Sequence, residues 1–136
     1  MTANNGEVRN SKNFLEVTDH GFENLRYGKI TPTDIDGFLE YKNKAFIFFE
    51  FKYNYSEMPF GQRLALERLT DALSKTKPSV LFVTSWDDSF LDSENKINCA
   101  ETIVYKIRHD NKWITPEGNP TLKDCIDWFI NSIDSI

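Results

Sequence analysis

Four polar side chains, Asp36, Glu50, Lys52 and Gln62, are spaced so that a fold could gather them for chemistry. Side chains alternate along a strand, and residues paired across two strands share a face. If Lys42-Asn43-Lys44 is a hairpin loop with Tyr41 facing Ala45, Asp36 lies opposite Glu50 and Asp34 opposite Lys52. A shorter loop would put Ile35 opposite Glu50 and scatter the charges. Facing carboxylates repel, so one must protonate unless a cation sits between them. Oxygen donors of this kind suit Mg2+ or Mn2+. Lys52 points the same way as Glu50, where an ammonium could stabilise an attacking hydroxide or the charge of a phosphorane. Gln62 shares a helical stripe with Ala65 and Leu66, which aims its amide at the sheet from the first turn of the next helix. These are the groups that metal-assisted phosphodiester hydrolysis uses. The competing reading, an exposed charged hairpin end on a structural module, predicts Asp36 and Glu50 on opposite faces of the sheet.

The elements that must position these groups follow from periodicity. Met1 to about Asn13 reads as a polar arm, and residues 14–136 as one domain. Phe14 to Leu25 has helical spacing, weakened by Gly21. Asp34 to Lys52 is a hairpin signal: two runs of aromatic and β-branched residues flank Lys42-Asn43-Lys44. The second run, AFIFFEF, is apolar on both faces, which suits a strand covered on both sides. A charged Glu50 and Lys52 at its end are therefore conspicuous. GQRLALERLTDALSK reads as an amphipathic helix with a stripe of Ala65, Leu66, Leu69, Ala72 and Leu73. SVLFVTSW is a buried strand, Asp87–Asn98 an acidic loop, and ETIVYKIRHDNKWITP a second hairpin turning at Asp110-Asn111. TLKDCIDWFINSI is a helix capped by Thr121 and Asp124, with a stripe of Leu122, Cys125, Ile126, Phe129 and Ile130. The order predicts an α/β (α+β) fold, a mixed sheet packed by helices.

Composition bounds the function. The chain has 136 residues, 40% hydrophobic and 14% aromatic, enough for a real core. Its net charge of −5 argues against a basic coat for nucleic acid, though not against a local basic patch beside a metal. Cys99 and Cys125 form no C-x-x-C pair, so zinc is not expected, and both read as reduced, buried thiols. His20 and His109 are too few for an imidazole metal site and read as surface residues. No apolar run is long enough to span a membrane, and the polar start lacks the apolar segment of a signal peptide. A cytoplasmic protein is expected.

Asp36, then Glu50-Phe51-Lys52, resembles the signature of PD-(D/E)XK nucleases. Pro32-Thr33-Asp34-Ile35-Asp36 is similar to the loop leading into that motif's Asp. Gln62 in GQR resembles the added motif of the resolvase-like and virus-type replication–repair branches. The resemblance covers residues 14–86, and the chain after Asp87 aligns with no branch. It implies a restriction-endonuclease-like core, Mg2+ or Mn2+ held by Asp36 and Glu50, and water activated or positioned by Lys52. It also implies a Glu from the first helix, with Glu16 and Glu23 both candidates, and leaves room for a homodimer. The chain is also similar to small phage-encoded proteins of that superfamily, whose setting would be the host cytoplasm.

The expectation is a Mg2+-dependent nuclease acting on DNA, with in-line attack by water, Asp36 and Glu50 on the ion, Lys52 on developing charge and Gln62 orienting water or phosphate. The alternative is an inactive nuclease-fold protein serving as a phage-type inhibitor or adaptor on a host protein. The acidic balance favours it, since non-specific DNA affinity grows with the phosphates neutralised. Asp34 reads as a turn residue, and Lys42 and Lys44 as a solvated tip. Arg26, Lys29, Arg63 and Arg68 could rim the site, with Arg68 equally able to pair with Asp71. Trp86, Trp113 and Trp128 could stack on bases, though Trp128 suits packing beside the last helix's stripe.

Overall fold

The computed structural model describes residues 23–135. Chain contacts divide it into two units, Met1–Asp34 and Ile35–Ile136. In the first, Glu23–Leu25 form a 3-10 turn, and Tyr27 and Ile30 exchange backbone hydrogen bonds of 2.8 and 3.0 Å. The helix expected over Phe14–Leu25 falls mostly outside the described residues, and its last three residues make that 3-10 turn instead. The boundary expected after Asn13 and the residues Glu16 and His20 also lie outside them.

The second unit is α+β: a mixed five-stranded sheet with a helix on each face. Its elements are β1 (Gly37–Tyr41), β2 (Ala45–Tyr53), α1 (Phe60–Ser74), β3 (Ser79–Trp86), β4 (Ile103–His109), β5 (Lys112–Ile114) and α2 (Leu122–Asp134). Strands lie in the order β1-β2-β3-β4-β5. β2 and β3 are parallel and every other pair is antiparallel. The connections explain this, since antiparallel neighbours need only a tight turn and parallel ones a crossover. Lys42 and Asn43 (φ 49° and 61°) close the first hairpin, and Asp110 and Asn111 (φ 52° and 62°) the second. Positive φ at both central residues matches the right-handed twist of the strands. Helix α1 is the crossover between β2 and β3.

Alternation sorts the core. Ala45 and Ile47 of β2, with Val80 and Phe82 of β3, pack under Leu122, Cys125, Phe129 and Ile133 of α2. Phe48, Leu81 and Val83 pack under Leu66 of α1. Strand β3 is buried at every position but Trp86, as a strand covered on both faces must be. Helix α2 starts on the expected capping box, with Thr121 Oγ1 accepting from the Asp124 amide and the Asp124 carboxylate from that of Thr121, both at 3.1 Å. Burial pushes the Cys125 thiol up to about 11.

Helix α1 corrects the expected stripe. Leu66 and Thr70 are its buried residues, with Gln62 and Leu73 partly buried in the same row. Ala65, Leu69 and Ala72 face solvent. The cause is polar. Arg108 of β4 lies under the helix, and Glu67 and Asp71 turn inward to meet it. Arg68 is consequently exposed and does not pair with Asp71. Cys99 is exposed, against the expectation of burial, while Cys125 is buried; both are free thiols. The acidic Asp87–Asn98 segment contains a 3-10 turn at Asp88–Phe90 and a bridge between Leu91 and Ile97. Trp128 is 52% exposed at the edge of α2. No described helix is long and apolar enough to cross a membrane.

Candidate active site

The β1–β2 ladder runs from Tyr41↔Ala45 to Gly37↔Phe49, the register of the longer hairpin loop. The next pair in that register is Asp36 and Glu50. There, side chains replace the backbone ladder. The Asp36 amide donates to Glu50 Oε2 at 2.7 Å, and the Phe51 amide donates to Asp36 Oδ2 at 2.9 Å. A strand end must find partners for its amides, and two carboxylates supply them. The arrangement brings Asp36 and Glu50 together at the open end of the hairpin, linked through the Asp36 backbone amide.

Glu50 is 1% exposed, on the α1 side of the sheet. A buried carboxylate persists only if its oxygens are hydrogen-bonded. Gln62, in the first turn of α1, donates from Nε2 to Glu50 Oε1 at 2.7 Å. Its Oε1 accepts from Lys52 Nζ at 2.8 Å. A primary amide both donates and accepts, so Gln62 joins a carboxylate to an ammonium, and the two bonds fix which way the amide points. Glu50, Gln62 and Lys52 are thus joined side chain to side chain, and Asp36 joins them through its backbone amide.

The fold places this set at a chosen end. Parallel pairing sets Glu50 beside Val83 and Lys52 beside Ser85. Ser85 Oγ accepts from the Tyr55 amide at 2.9 Å, tying down the loop into α1. The C-terminal ends of β2 and β3 and the N-terminus of α1 therefore meet, which is where open α/β sheets receive ligands. The helix terminus adds partial positive charge.

One supporting residue carried no motif signal. Gly37 faces Phe49, and a β-carbon there would collide with the Phe49 ring. Glycine lets that ring lie over the backbone beside Asp36. Asp34 closes the first unit, and the ladder stops before it, so the expected Asp34–Lys52 pair is not part of the hairpin. Glu23 sits in the 3-10 turn of the first unit, and Glu16 is outside the described residues.

Carboxylate oxygens are the donors that a hard divalent cation takes, and bonds from two backbone amides and Gln62 orient Asp36 and Glu50. No group of three or more His, Cys, Asp or Glu gathers among the described residues. A pair of carboxylates suits Mg2+, which keeps several waters and takes substrate phosphate as a ligand.

A second polar cluster lies further along α1. Arg108 donates to Asp71 from Nε at 2.9 Å and from Nη2 at 2.6 Å. Its Nη1 is 3.6 Å from Glu67 Oε1, which also accepts from Trp113 Nε1 at 2.7 Å. The Asp71 bonds hold Arg108 above the usual arginine range. Trp113 is thus committed to this cluster, while Trp86 packs edge-on against Tyr53 with ring centres 4.9 Å apart. His109 packs edge-on to Phe129.

No protein-family model matches the chain, and neither does any curated protein or solved structure.

Proposed function

We propose that this chain is a Mg2+-dependent nuclease of the PD-(D/E)XK type, hydrolysing phosphodiester bonds in nucleic acid, most simply DNA. The observation that carries the reading is the chain of bonds Asp36–Glu50–Gln62–Lys52 around a carboxylate 1% exposed. A buried acid linked to a lysine through a neutral amide is an expensive arrangement for structure alone and a useful one for chemistry. The order of hairpin, crossover helix and parallel strand supports the same type of core.

Asp36 and Glu50 would hold the cation, which when bound neutralises phosphate charge and lowers the pKa of a water nearby. Lys52, oriented by Gln62, stabilises negative charge growing on the attacked phosphate. Gln62 keeps Glu50 and Lys52 in fixed relation, so little reorganisation is needed as that charge develops. A cytoplasmic setting, with Cys99 and Cys125 reduced, goes with this reading.

The test is cleavage of single- and double-stranded DNA and RNA with Mg2+ or Mn2+. The wild-type chain cuts at least one of them, and Asp36→Ala and Lys52→Ala abolish cutting while circular dichroism stays unchanged. No cleavage of any form by wild type sinks the enzyme. Mn2+ binding by calorimetry, lost in Glu50→Ala, separates a loaded site from an inactive adaptor that binds no metal.

A further inference from the structure

A cavity of about 540 Å3 opens beside the candidate site on the α1 side of the sheet. Val83, the register partner of Glu50, lines it, and so does Arg63, the neighbour of Gln62. Its walls carry the rings of Phe60, Tyr105 and Trp113, with Lys106 as a second cation. The volume is that of a small-molecule site.

A β-bulge builds this lining. Strand β4 slips register against β3 between Val83 and Thr84: Val83 pairs with Lys106, and Thr84 with Val104. Tyr105 is the extra residue. Strict alternation would send adjacent residues to opposite faces, yet Tyr105 and Lys106 both line the cavity. Bulges re-aim side chains in this way and gather beside active sites.

The charges favour an anionic, aromatic-binding ligand. Arg63 lies over the Phe60 ring, 5.6 Å from its centre, and makes no ion pair among the described residues. Lys106 has only a 3.0 Å bond to Thr115 Oγ1 and no ion pair among them either. One carboxylate, Glu57, joins the lining, leaving a positive excess and an acceptor for a base's ring N–H or exocyclic amine. Tyr105 donates to the Ser56 carbonyl at 2.6 Å, which holds the loop wall in place.

We infer that this cavity is a subsite for one unpaired nucleobase, adjoining the phosphate handled by Asp36, Glu50 and Lys52, with Arg63 and Lys106 meeting the flanking phosphates. A base inside a duplex stack cannot enter such a hole without leaving the stack. The preferred substrate is therefore single-stranded or locally unpaired. The phosphate's position rests on the nuclease reading; the base site rests on the cavity.

The experiment measures anisotropy of a labelled oligothymidylate about ten nucleotides long, in Ca2+ with the full chain. The comparisons are an abasic phosphodiester of equal length, a blunt duplex, and the variants Phe60→Ala and Arg63→Gln. Phe60 is exposed, so its removal leaves the core intact. Oligothymidylate binds about tenfold more tightly than the abasic chain and the duplex, and Phe60→Ala removes most of that difference. Arg63→Gln weakens both single-stranded ligands alike. Equal affinity for the base-bearing and abasic chains, no change in Phe60→Ala, or no binding at all overturns the subsite. Cleavage in Mg2+ is scored separately. Base-dependent binding without cleavage defeats the nuclease reading and keeps the subsite, whereas equal cleavage of abasic and normal chains does the reverse.

Discussion

Helix α1 covers two polar clusters that handle buried charge in opposite ways. Under its middle, Arg108 is gripped by Asp71 through two bonds, flanked by Glu67 and stacked near Trp113, 5.7 Å from the ring centre. Under its first turn, Glu50 and Lys52 are kept apart by the neutral amide of Gln62. The first cluster spends its donors and acceptors on itself, so it serves packing and register. In the second, Lys52 makes no ion pair among the described residues, and its ammonium bonds to a neutral amide instead. Opposite charges that could neutralise each other directly are instead spaced by an amide, which is what a site needs if an outside cation and phosphate are to be recognised.

The widest separation between the clusters should come from Glu50→Gln. It keeps an oxygen for the Asp36 amide but removes the charge. Cleavage in Mg2+ falls on the order of 10³-fold and Mn2+ binding disappears, while urea unfolding shifts by about 1–3 kcal/mol, because the new amide turns an N–H group towards Gln62 Nε2. Retained Mn2+ affinity in this variant would remove Glu50 from any metal site. Arg108→Met tests the other side. It leaves Glu67 and Asp71 turned inward without their partner, a loss of about 2–3 kcal/mol after allowing for their partial exposure. Mn2+ affinity should not move. If it falls in step with stability, the clusters are one unit and the contrast between them is wrong.

The sequence carried the Glu50–Lys52 cluster and hid the Arg108 cluster. Asp36, Glu50 and Lys52 were legible because a strand's period of two converts spacing directly into facing, once Lys42-Asn43-Lys44 sets the register. The same logic located β3 and the capping box of α2. Arg108 was opaque because its partners are 37 and 41 residues away on a helix. Apolar periodicity then misplaced the α1 stripe: Leu69 and Ala72 looked inward, whereas Glu67 and Asp71 are turned by a bond the sequence does not advertise. The bulge that brings Tyr105 beside Lys106 is equally silent, since alternation assumes no inserted residue. The candidate site was therefore readable as chemistry, and its neighbouring cavity was not.

Two smaller changes probe how rigidly the open cluster is held. Gly37→Ala forces the Phe49 ring aside next to Asp36, costing about 1–3 kcal/mol as overpacking. Thermal melting reads that loss, and an unchanged midpoint would mean the ring swings away freely. Gln62→Leu cuts the link between Glu50 and Lys52 without touching either charge. Cleavage should drop about ten- to a hundredfold, the scale of the two positioning bonds lost, with Mn2+ affinity close to wild type. A drop as deep as that of Glu50→Gln would make Gln62 a partner in the chemistry itself rather than a spacer.

The smallest expected effect lies on the opposite face. Thr84 of β3 is 0% exposed, in the sheet layer under α2, and its hydroxyl has no hydrogen-bond partner among the described residues. Both clusters under α1 show polar atoms buried with partners; Thr84 is a polar atom buried without one. Such a group costs roughly 1–3 kcal/mol relative to a bonded one, and a methyl in its place fills the same space without that cost. Thr84→Val is therefore expected to stabilise by about 1 kcal/mol and to leave cleavage unaltered, as measured by urea midpoint and rate on one preparation. The sign is the informative part. A gain marks the hydroxyl as a tolerated defect of the packing face. A loss in rate with stability raised would instead tie Thr84, the strand neighbour of Phe51, to the positioning of the Glu50–Lys52 segment, and the division between a chemical face and a packing face would have to be redrawn.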